Sequence, residues 1–321
     1  MPIGIVAIGR NEGERLKSSL TAAVAVRDAV VVYVDSGSTD GSATWARSIG
    51  VNVVDLDMSK PFTAARARNE GFAELMKQRP GVEFVQFIDG DCELQPGWIE
   101  KALAEFASKP KAAVICGRRR ERYPEASPYN RLCDIEWNTP VGQAKACGGD
   151  AMFRTVAFQA VGGFNPDIIA GEEPELCVRL RQAGWEIWRI DAEMTLHDAA
   201  MKRFGQWWKR NVRAGHAFAE GFDRHGAPPE EHWKREYEGN QKWGPLWLIP
   251  LVWPLFGLLA LKITRDRMRQ RQPMGESLLY GTFTALGKLP QWLGQRKYCQ
   301  NKRSGRREKL IEYKGPSART A

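Results

Sequence analysis

Three short apolar runs, at residues 3–8 (IGIVAI), 29–34 (AVVVYV) and 83–88 (EFVQFI), each stop abruptly at a polar, glycine-bearing turn. The intervals between them carry helical spacing: Leu16, Leu20, Ala23 and Val24 share one face of a helix predicted over 14–27. Further helices are expected over 42–49, over 63–78 and after Pro96, with another strand at 51–55. Strands apolar enough to be buried on both faces, alternating with helices, define an α/β fold: a mostly parallel sheet flanked by helices. Ligands in such sheets bind beyond the carboxyl ends of the strands. This chain concentrates its polar residues there. Past residue 115 the alternation loses its regularity. Gly148, Gly149, Gly162 and Gly163 bracket a compact segment ahead of a helix at 173–183 and a strand at 185–190.

A chain of 321 residues, 43% of them hydrophobic, is long enough for one large domain and an appendage. The formal charge of +9 is confined to one end. Residues 262–321 hold 15 lysines and arginines against 4 acids, whereas residues 1–261 hold 32 against 34, a net of −2. The six cysteines form no C-x-x-C pair and no zinc spacing, so they are expected to be reduced core residues. The opening MPIGIVAIGRNEGERL lacks the apolar stretch of a signal peptide, so a cytoplasmic setting is expected.

Two acidic turns follow apolar strands directly: Asp35 in VDSGSTDG, and Asp89 with Asp91 in FIDGDCEL. A nucleoside diphosphate carries about two to three negative charges, which bare carboxylates would repel; a divalent cation bridging both resolves the conflict. Gly90 allows the tight turn that aims both aspartates at one ion. A polar turn with no ligand asks for the same D-G-D residues.

The runs VAIGRNEGERLKSSL, VVYVDSGSTDGS, ARARNEGF, FVQFIDGDCELQPGWI, GGDAMFRTVAFQAVGGFNP and GEEPELCVRLRQAGW occur in this order over residues 3–215 and resemble glycosyltransferase family 2. That resemblance implies a Rossmann-like GT-A fold, an inverting transfer from a nucleotide-diphosphate sugar, and Mn2+ or Mg2+ as cofactor. It also implies roles for single residues. Asn11, Glu12, Asp35, Arg68, Asn69 and Asp89 would border the donor, with Arg210 of QWWKR beside its phosphates. Asp89 and Asp91 would form the metal motif, joined by His197. Gly149, Asp150 and Arg154 would line the acceptor side. The general base that deprotonates the acceptor hydroxyl falls, in the family, at the second acid of an E-D pair opening a helix. Here that pair is Glu172 and Glu173, so Glu173 is the expected base, one methylene longer than the usual aspartate, with Glu172 as the alternative. The same glutamates, with Pro174, also suit the positive end of a helix.

Residues 243–261 (WGPLWLIPLVWPLFGLLAL) are 19 without a charge. As a straight helix they would reach about 28 Å, against about 30 Å of hydrocarbon. Pro250 and Pro254 interrupt the run, and basic residues follow it at once, so both flanks prefer the cytoplasmic side. A bent, interfacial or re-entrant segment on an anionic membrane surface is predicted, with a core helix as the alternative. Trp207 and Trp208 suit either a sugar ring or a headgroup layer. The organisation expected is a catalytic domain at 1–240 and a hydrophobic, basic, membrane-associating helical region at 241–321, working on a lipid-linked or saccharide acceptor at the cytoplasmic membrane face. The alternative, raised by Glu173 standing in place of the usual aspartate, is a non-catalytic or donor-hydrolysing sugar-nucleotide-binding relative; two further classes are disfavoured. GRNEGE stands where a dinucleotide fold needs G-x-G-x-x-G, and the basic residues lie with apolar ones, which suits lipid rather than nucleic acid.

Overall fold

The computed structural model describes residues 2–305; the rest of the predicted basic tail lies outside the described residues. The chain divides into two compact units. The first comprises the residues up to Arg122 together with Trp137–Ala199; the second, Tyr123–Glu136 together with the residues from Ala200 on.

In chain order the elements are β1 (Ile3–Gly9), α1 (Glu14–Val24), β2 (Ala29–Asp35), α2 (Ser42–Ser48), β3 (Asn52–Asp55), α3 (Ala64–Gln78), β4 (Phe84–Asp89), β5 (Cys92–Leu94), α4 (Trp98–Ser108) and β6 (Ala112–Glu121). Then follow α5 (Pro128–Trp137), β7 (Gly142–Ala144), β8 (Ala151–Arg154), α6 (Thr155–Ala160), α7 (Glu172–Gln182) and β9 (Glu186–His197). The chain continues with α8 (Phe204–His225), α9 (Lys234–Trp243), α10 (Trp253–Arg269) and α11 (Met274–Ser304).

The described strands make one sheet in the order β3-β2-β1-β4-β8-β6-β9-β5, with β7 also paired to β9. From β3 to β4 the strands are parallel, as the buried apolar runs predict. There β8 enters antiparallel to both β4 and β6, so the second half of the sheet is mixed. Register aligns the functional ends: Gly9 lies beside Asp35, and Ile8 beside Asp89. Because β8 runs the other way, Ala151 pairs with Phe87, and the Gly148–Asp150 turn arrives at the same edge of the sheet. The tips of β1, β2 and β4 and the entry to β8 therefore share one rim.

Close packing of α3 on the sheet depends on Gly71, where a Cβ would lie 2.5 Å from Val6 Cγ1. That approach brings Arg68, one turn earlier on α3, to the rim. The strand expected at 185–190 continues as β9 to His197, which sits opposite Cys92 in the antiparallel β5–β9 ladder.

In the second unit α8 and α11 meet backbone to backbone: a Cβ on Gly215 would fall 1.9 Å from the Gln291 carbonyl oxygen, and one on Gly294 would fall 2.0 Å from that of Val212. This packing puts α8 and α9 in one compact unit with α11. Trp207 is buried against Phe283, with ring centroids 5.0 Å apart, so it serves the helical core and not a sugar ring or headgroups. Trp247 stacks on Phe256 at 4.0 Å. The apolar run between α9 and α10 bends where its prolines predict. Among the described residues no single helix is long and apolar enough to cross a membrane, and the pair that passes together, Lys234–Leu248 and Pro250–Arg269, is bent by 119°. Along this bend Leu248, Ile249, Leu251, Trp253, Leu255, Leu258 and Leu261 are exposed, Leu251 by 89%.

Candidate active site

The loops after β1 and β2 are stitched together by short polar side chains. Asn11, held at φ 55°, donates its backbone N–H to Ser38 Oγ (2.9 Å) and accepts Thr39 N–H on Oδ1 (2.7 Å). Asp40 Oδ2 accepts Gly13 N–H at 3.0 Å. Asp35 is buried; its carboxylate takes the N–H groups of Gly37 (3.1 Å) and Ser38 (2.8 Å) and the Tyr33 hydroxyl (3.0 Å). Burial, with Asp35 alongside, pushes the Tyr33 hydroxyl well above its ordinary range, so it remains a donor to that carboxylate. Glu12 pairs with Arg15 at 2.8 Å.

Beside these loops lies a cluster organised by Arg68. Its guanidinium, almost fully buried, reaches Asp89 Oδ1 at 2.7 Å, Glu172 Oε1 at 2.8 Å and Glu173 Oε1 at 3.0 Å. Both glutamates open α7, just after Gly171 in the left-handed region (φ 85°), and so face the positive end of the helix. Glu175 is turned away from this set, bound by Arg179 at 2.9 and 2.7 Å. Gly149 fills the centre. A Cβ there would lie 2.9 Å from Arg68 Nη2, 3.0 Å from Glu173 Oε1 and 3.1 Å from Asp89 Oδ2. The Glu173 side chain is 13% exposed. Burial first, then the neighbouring Glu172 and Asp89, raise its carboxyl to about 7, although Arg68 pulls the other way. A carboxyl poised there suits proton transfer near neutral pH.

Asp150 is fully buried below Asp89: it accepts Asp89 N–H (3.3 Å) and the Thr195 hydroxyl (2.8 Å) and pairs with Arg119 at 2.9 Å. It therefore supports the strand end that carries Asp89, with its carboxylate taken up by these protein partners. Arg154, expected with Asp150 and Gly149, is not brought to this cluster. It pairs in register with Phe84, at the opposite end of β4 from Asp89, where its guanidinium bonds the Ala112 and Phe106 carbonyls. Five residues of extended strand put about 16 Å between the two.

Asp91 is buried, with Oδ2 at 3.1 Å from His197 Nε2 and Oδ1 accepting from Cys92 Sγ at 3.7 Å. The His197 ring is stacked on Trp137, with centroids 4.7 Å apart. Ligand atoms of Asp91, Cys92 and His197 all lie within 4.8 Å of one another. A carboxylate, an imidazole and a nearby second carboxylate, Asp89, are a donor set that fits a divalent ion such as Mn2+ or Mg2+.

The structure thus gathers Asp89, Asp91, Gly149, Glu172, Glu173, Arg68 and His197 in the first unit, with the Asn11, Glu12 and Asp35 loops at the same sheet edge. Asn69 turns its amide to the Phe164 backbone, bonding its oxygen and its N–H at 2.7 and 3.0 Å. Arg210 belongs to the second unit and pairs there with Glu136 at 2.7 Å. Sequence reasoning missed Arg119, Cys92 and Trp137. Arg119 was detectable: in the strand run Arg118-Arg119-Arg120 the outer two pair with Asp191 and Glu193, so alternation turns the middle one to the other face. Cys92 could have been found from its place beside the D-G-D turn. Trp137 left no signal.

Residues 5–157 match the family Glycosyl transferase family 2. Over 293 residues the chain is 26% identical to the succinoglycan biosynthesis protein ExoA of Rhizobium meliloti (strain 1021), covering 85% of this chain and 81% of that relative. Its fold is similar to the mannosyltransferase PcManGT from Pyrobaculum calidifontis, solved in complex with GDP-Man and Mn2+, with a TM-score of 0.54 at 16% identity over 94% of this chain and 86% of that one. It is also similar to residues 1–349 of S. aureus TarS in complex with UDP-GlcNAc, with a TM-score of 0.51 at 14% identity over 95% and 93% of the two chains. The segment that matches Glycosyl transferase family 2, residues 5–157, brings the tips of β1, β2 and β4 and the entry to β8 onto one rim of a sheet whose fold is that of GT-A glycosyltransferases.

Proposed function

We propose that this glycosyltransferase transfers a sugar, with inversion, from a nucleotide-diphosphate sugar to a saccharide or lipid-linked acceptor at the cytoplasmic face of the cell membrane. The observation that carries this reading is the convergence of Asp89 and Glu173 on Arg68 within hydrogen-bond distance, packed against Gly149, together with the Asp91–His197 pair. The stitched loops holding Asn11 and Asp35 form the side on which a nucleoside is bound. Asp91 and His197, with Asp89, hold the divalent ion. When bound, that ion neutralises the charge of the departing diphosphate.

The other half of the reaction falls to Glu173. Its carboxylate accepts the proton of the acceptor hydroxyl as that oxygen attacks the anomeric carbon. Arg68 fixes the carboxylate's position and prevents it from swinging away. Gly149, with no side chain, lets Arg68, Glu173 and Asp89 close up against the backbone of this turn. The exposed bend from Leu248 to Leu261, with basic residues following at once, supports contact with an anionic membrane surface. A relative named for succinoglycan biosynthesis supports a polysaccharide-pathway acceptor.

The test is a screen of UDP- and GDP-sugars for Mn2+-dependent release of nucleoside diphosphate, with and without membrane extract, using the wild type, Asp91→Asn and Glu173→Gln. Metal-dependent release that both variants lose supports the reading. Activity in Glu173→Gln equal to wild type removes Glu173 as the base, and metal-independent turnover removes the ion.

A further inference from the structure

Cys92 has no place in the reaction outlined above, yet its sulfur sits among the groups that would hold the ion. Its position follows from the ladder. Cys92 and His197 are direct partners across the antiparallel β5–β9 pair, so their side chains emerge on one face of the sheet. Asp91 precedes β5 in the turn, and strand alternation does not force it to the opposite face. Its backbone carbonyl is held by Asp198 N–H at 3.1 Å. The imidazole is braced by Trp137 and by Asp91 Oδ2.

Three donor types result, a hard carboxylate oxygen, an imidazole nitrogen and a soft sulfur, with no pair of ligand atoms more than 4.8 Å apart. Ligands around one tetrahedral zinc, bound at about 2.0 to 2.3 Å, stand roughly 3.3 to 3.8 Å from one another. The Asp91–His197 contact, 3.1 Å to Oδ2, and the Asp91–Cys92 contact, 3.7 Å to Oδ1, are each close to that spacing through their own carboxylate oxygen. Closing the third pair calls for an ångström or so at most. The neighbouring set of Asp89, Cys92 and Asp150 shares the same sulfur, but there Asp150 is committed to Arg119 and Thr195.

We propose that Cys92 is a conditional third ligand that sets the metal selectivity of this site: Mn2+ or Mg2+ is held through Asp91 and His197 with the thiol a bystander, whereas Zn2+ or Cd2+ also recruits the sulfur. Soft, thiophilic ions gain from a thiolate what hard ions do not. The thiol proton leaves to solvent as the metal–sulfur bond forms. Zn2+ and Cd2+ then occupy the site more tightly than the activating ion and displace it. The inference rests on the metal reading above and adds the sulfur to it.

The test is calorimetric titration of the full chain with Cd2+ and with Mn2+, in the wild type, Cys92→Ser and Cys147→Ser. Cys147→Ser is the control because Cys147 and Cys177, with sulfurs 3.6 Å apart, form a thiol pair away from this site that could also capture a thiophilic ion. Cys92→Ser is expected to weaken Cd2+ at least about tenfold and Mn2+ less than about threefold, with Cys147→Ser like wild type. Equal Cd2+ affinity in wild type and Cys92→Ser, with Mn2+ binding retained, overturns this inference alone. So does a Cd2+ effect that follows Cys147. Absence of Mn2+ binding in the wild type overturns the underlying metal reading. Should Cys92→Ser not fold, X-ray absorption of the Zn2+-loaded Cys147→Ser protein decides. One sulfur at about 2.3 Å is expected, and a shell of nitrogen and oxygen only refutes the proposal.

Discussion

Replacing Glu173 by glutamine separates the two consequences of burying a carboxyl beside other carboxylates. The raised value of about 7, against an ordinary 4.5, means that the folded chain binds this proton more tightly than the unfolded chain does. Stability from the group is therefore fully present below about pH 4.5 and is lost as pH rises through 7. Integrating the linkage between pH 5 and pH 8 gives a loss of about 2.5 kcal/mol in the wild type. Glutamine has no proton to lose, keeps nearly the same shape, and still offers an oxygen to Arg68. The stability of Glu173→Gln minus that of wild type, from urea unfolding at fixed salt, should therefore grow by about 2 to 3 kcal/mol from pH 5 to pH 8. Transfer activity should be lost at every pH, while in wild type it rises on deprotonation of the same group. A stability difference that stays flat with pH would refute the argument, because Glu173 would then ionise as an ordinary surface carboxylate does. Retained activity would refute its role as base without touching the electrostatics.

Gly149→Ala is permitted by its backbone but sets a methyl group against Arg68, Glu173 and Asp89; nucleotide-release assays should show at least about a tenfold loss of activity with about 1 kcal/mol of stability lost. Arg68→Ala leaves Asp89, Glu172 and Glu173 without their shared cation, and thermal or urea unfolding at pH 8 should show a loss of about 3 to 5 kcal/mol. The exposed bend is tested by Leu251→Asp with Leu258→Asp: each leucine contributes about 1.5 to 3 kcal/mol when buried in an apolar phase, so co-sedimentation with anionic vesicles should fall at least about tenfold, and unchanged sedimentation would detach this surface from the membrane.

The motifs at the tips of β1, β2 and β4 were legible because each follows a run whose local pattern alone fixes strand, direction and end. Parallel register then aligns Gly9, Asp35 and Asp89 with no further information. The antiparallel insertion of β8 was not legible, since the four residues AMFR read the same in either direction and their partners are remote in sequence. That one fact explains the misplaced Arg154: motif proximity to Gly149 implied spatial proximity, but a strand leaving the rim carries each successive residue away from it. Asp150 lies at the rim itself, buried. Its role is set by Arg119 and Thr195, from β6 and β9, which no local pattern connects to it. The helical unit was legible as apolar and proline-bent, but its boundary depends on the glycine contacts between α8 and α11.

The charge of the cluster ties these observations together. Asp89, Asp150, Glu172 and Glu173 surround two guanidinium groups, Arg68 and Arg119, whose proton affinity is raised beside them, and Asp91 adds a fifth buried acid beside His197. Were all five acids ionised, the excess would be three negative charges in a largely buried space. Glu173 relieves one of them by keeping a proton near neutral pH, which leaves an excess matched by one divalent ion. The same arithmetic couples the two halves of the chemistry. Burial first, then Glu172 and Asp89, hold the proton on Glu173, and a divalent ion held by Asp91 and His197 would oppose the influence of the two acids. In the proposed reaction the carboxyl would thereby be released to act as a base in the state where a diphosphate is also tolerated. An aspartate, one methylene shorter, would reach less far toward Arg68 and Gly149 from the same helix start, so the glutamate is consistent with the distances that the α7 terminus imposes here.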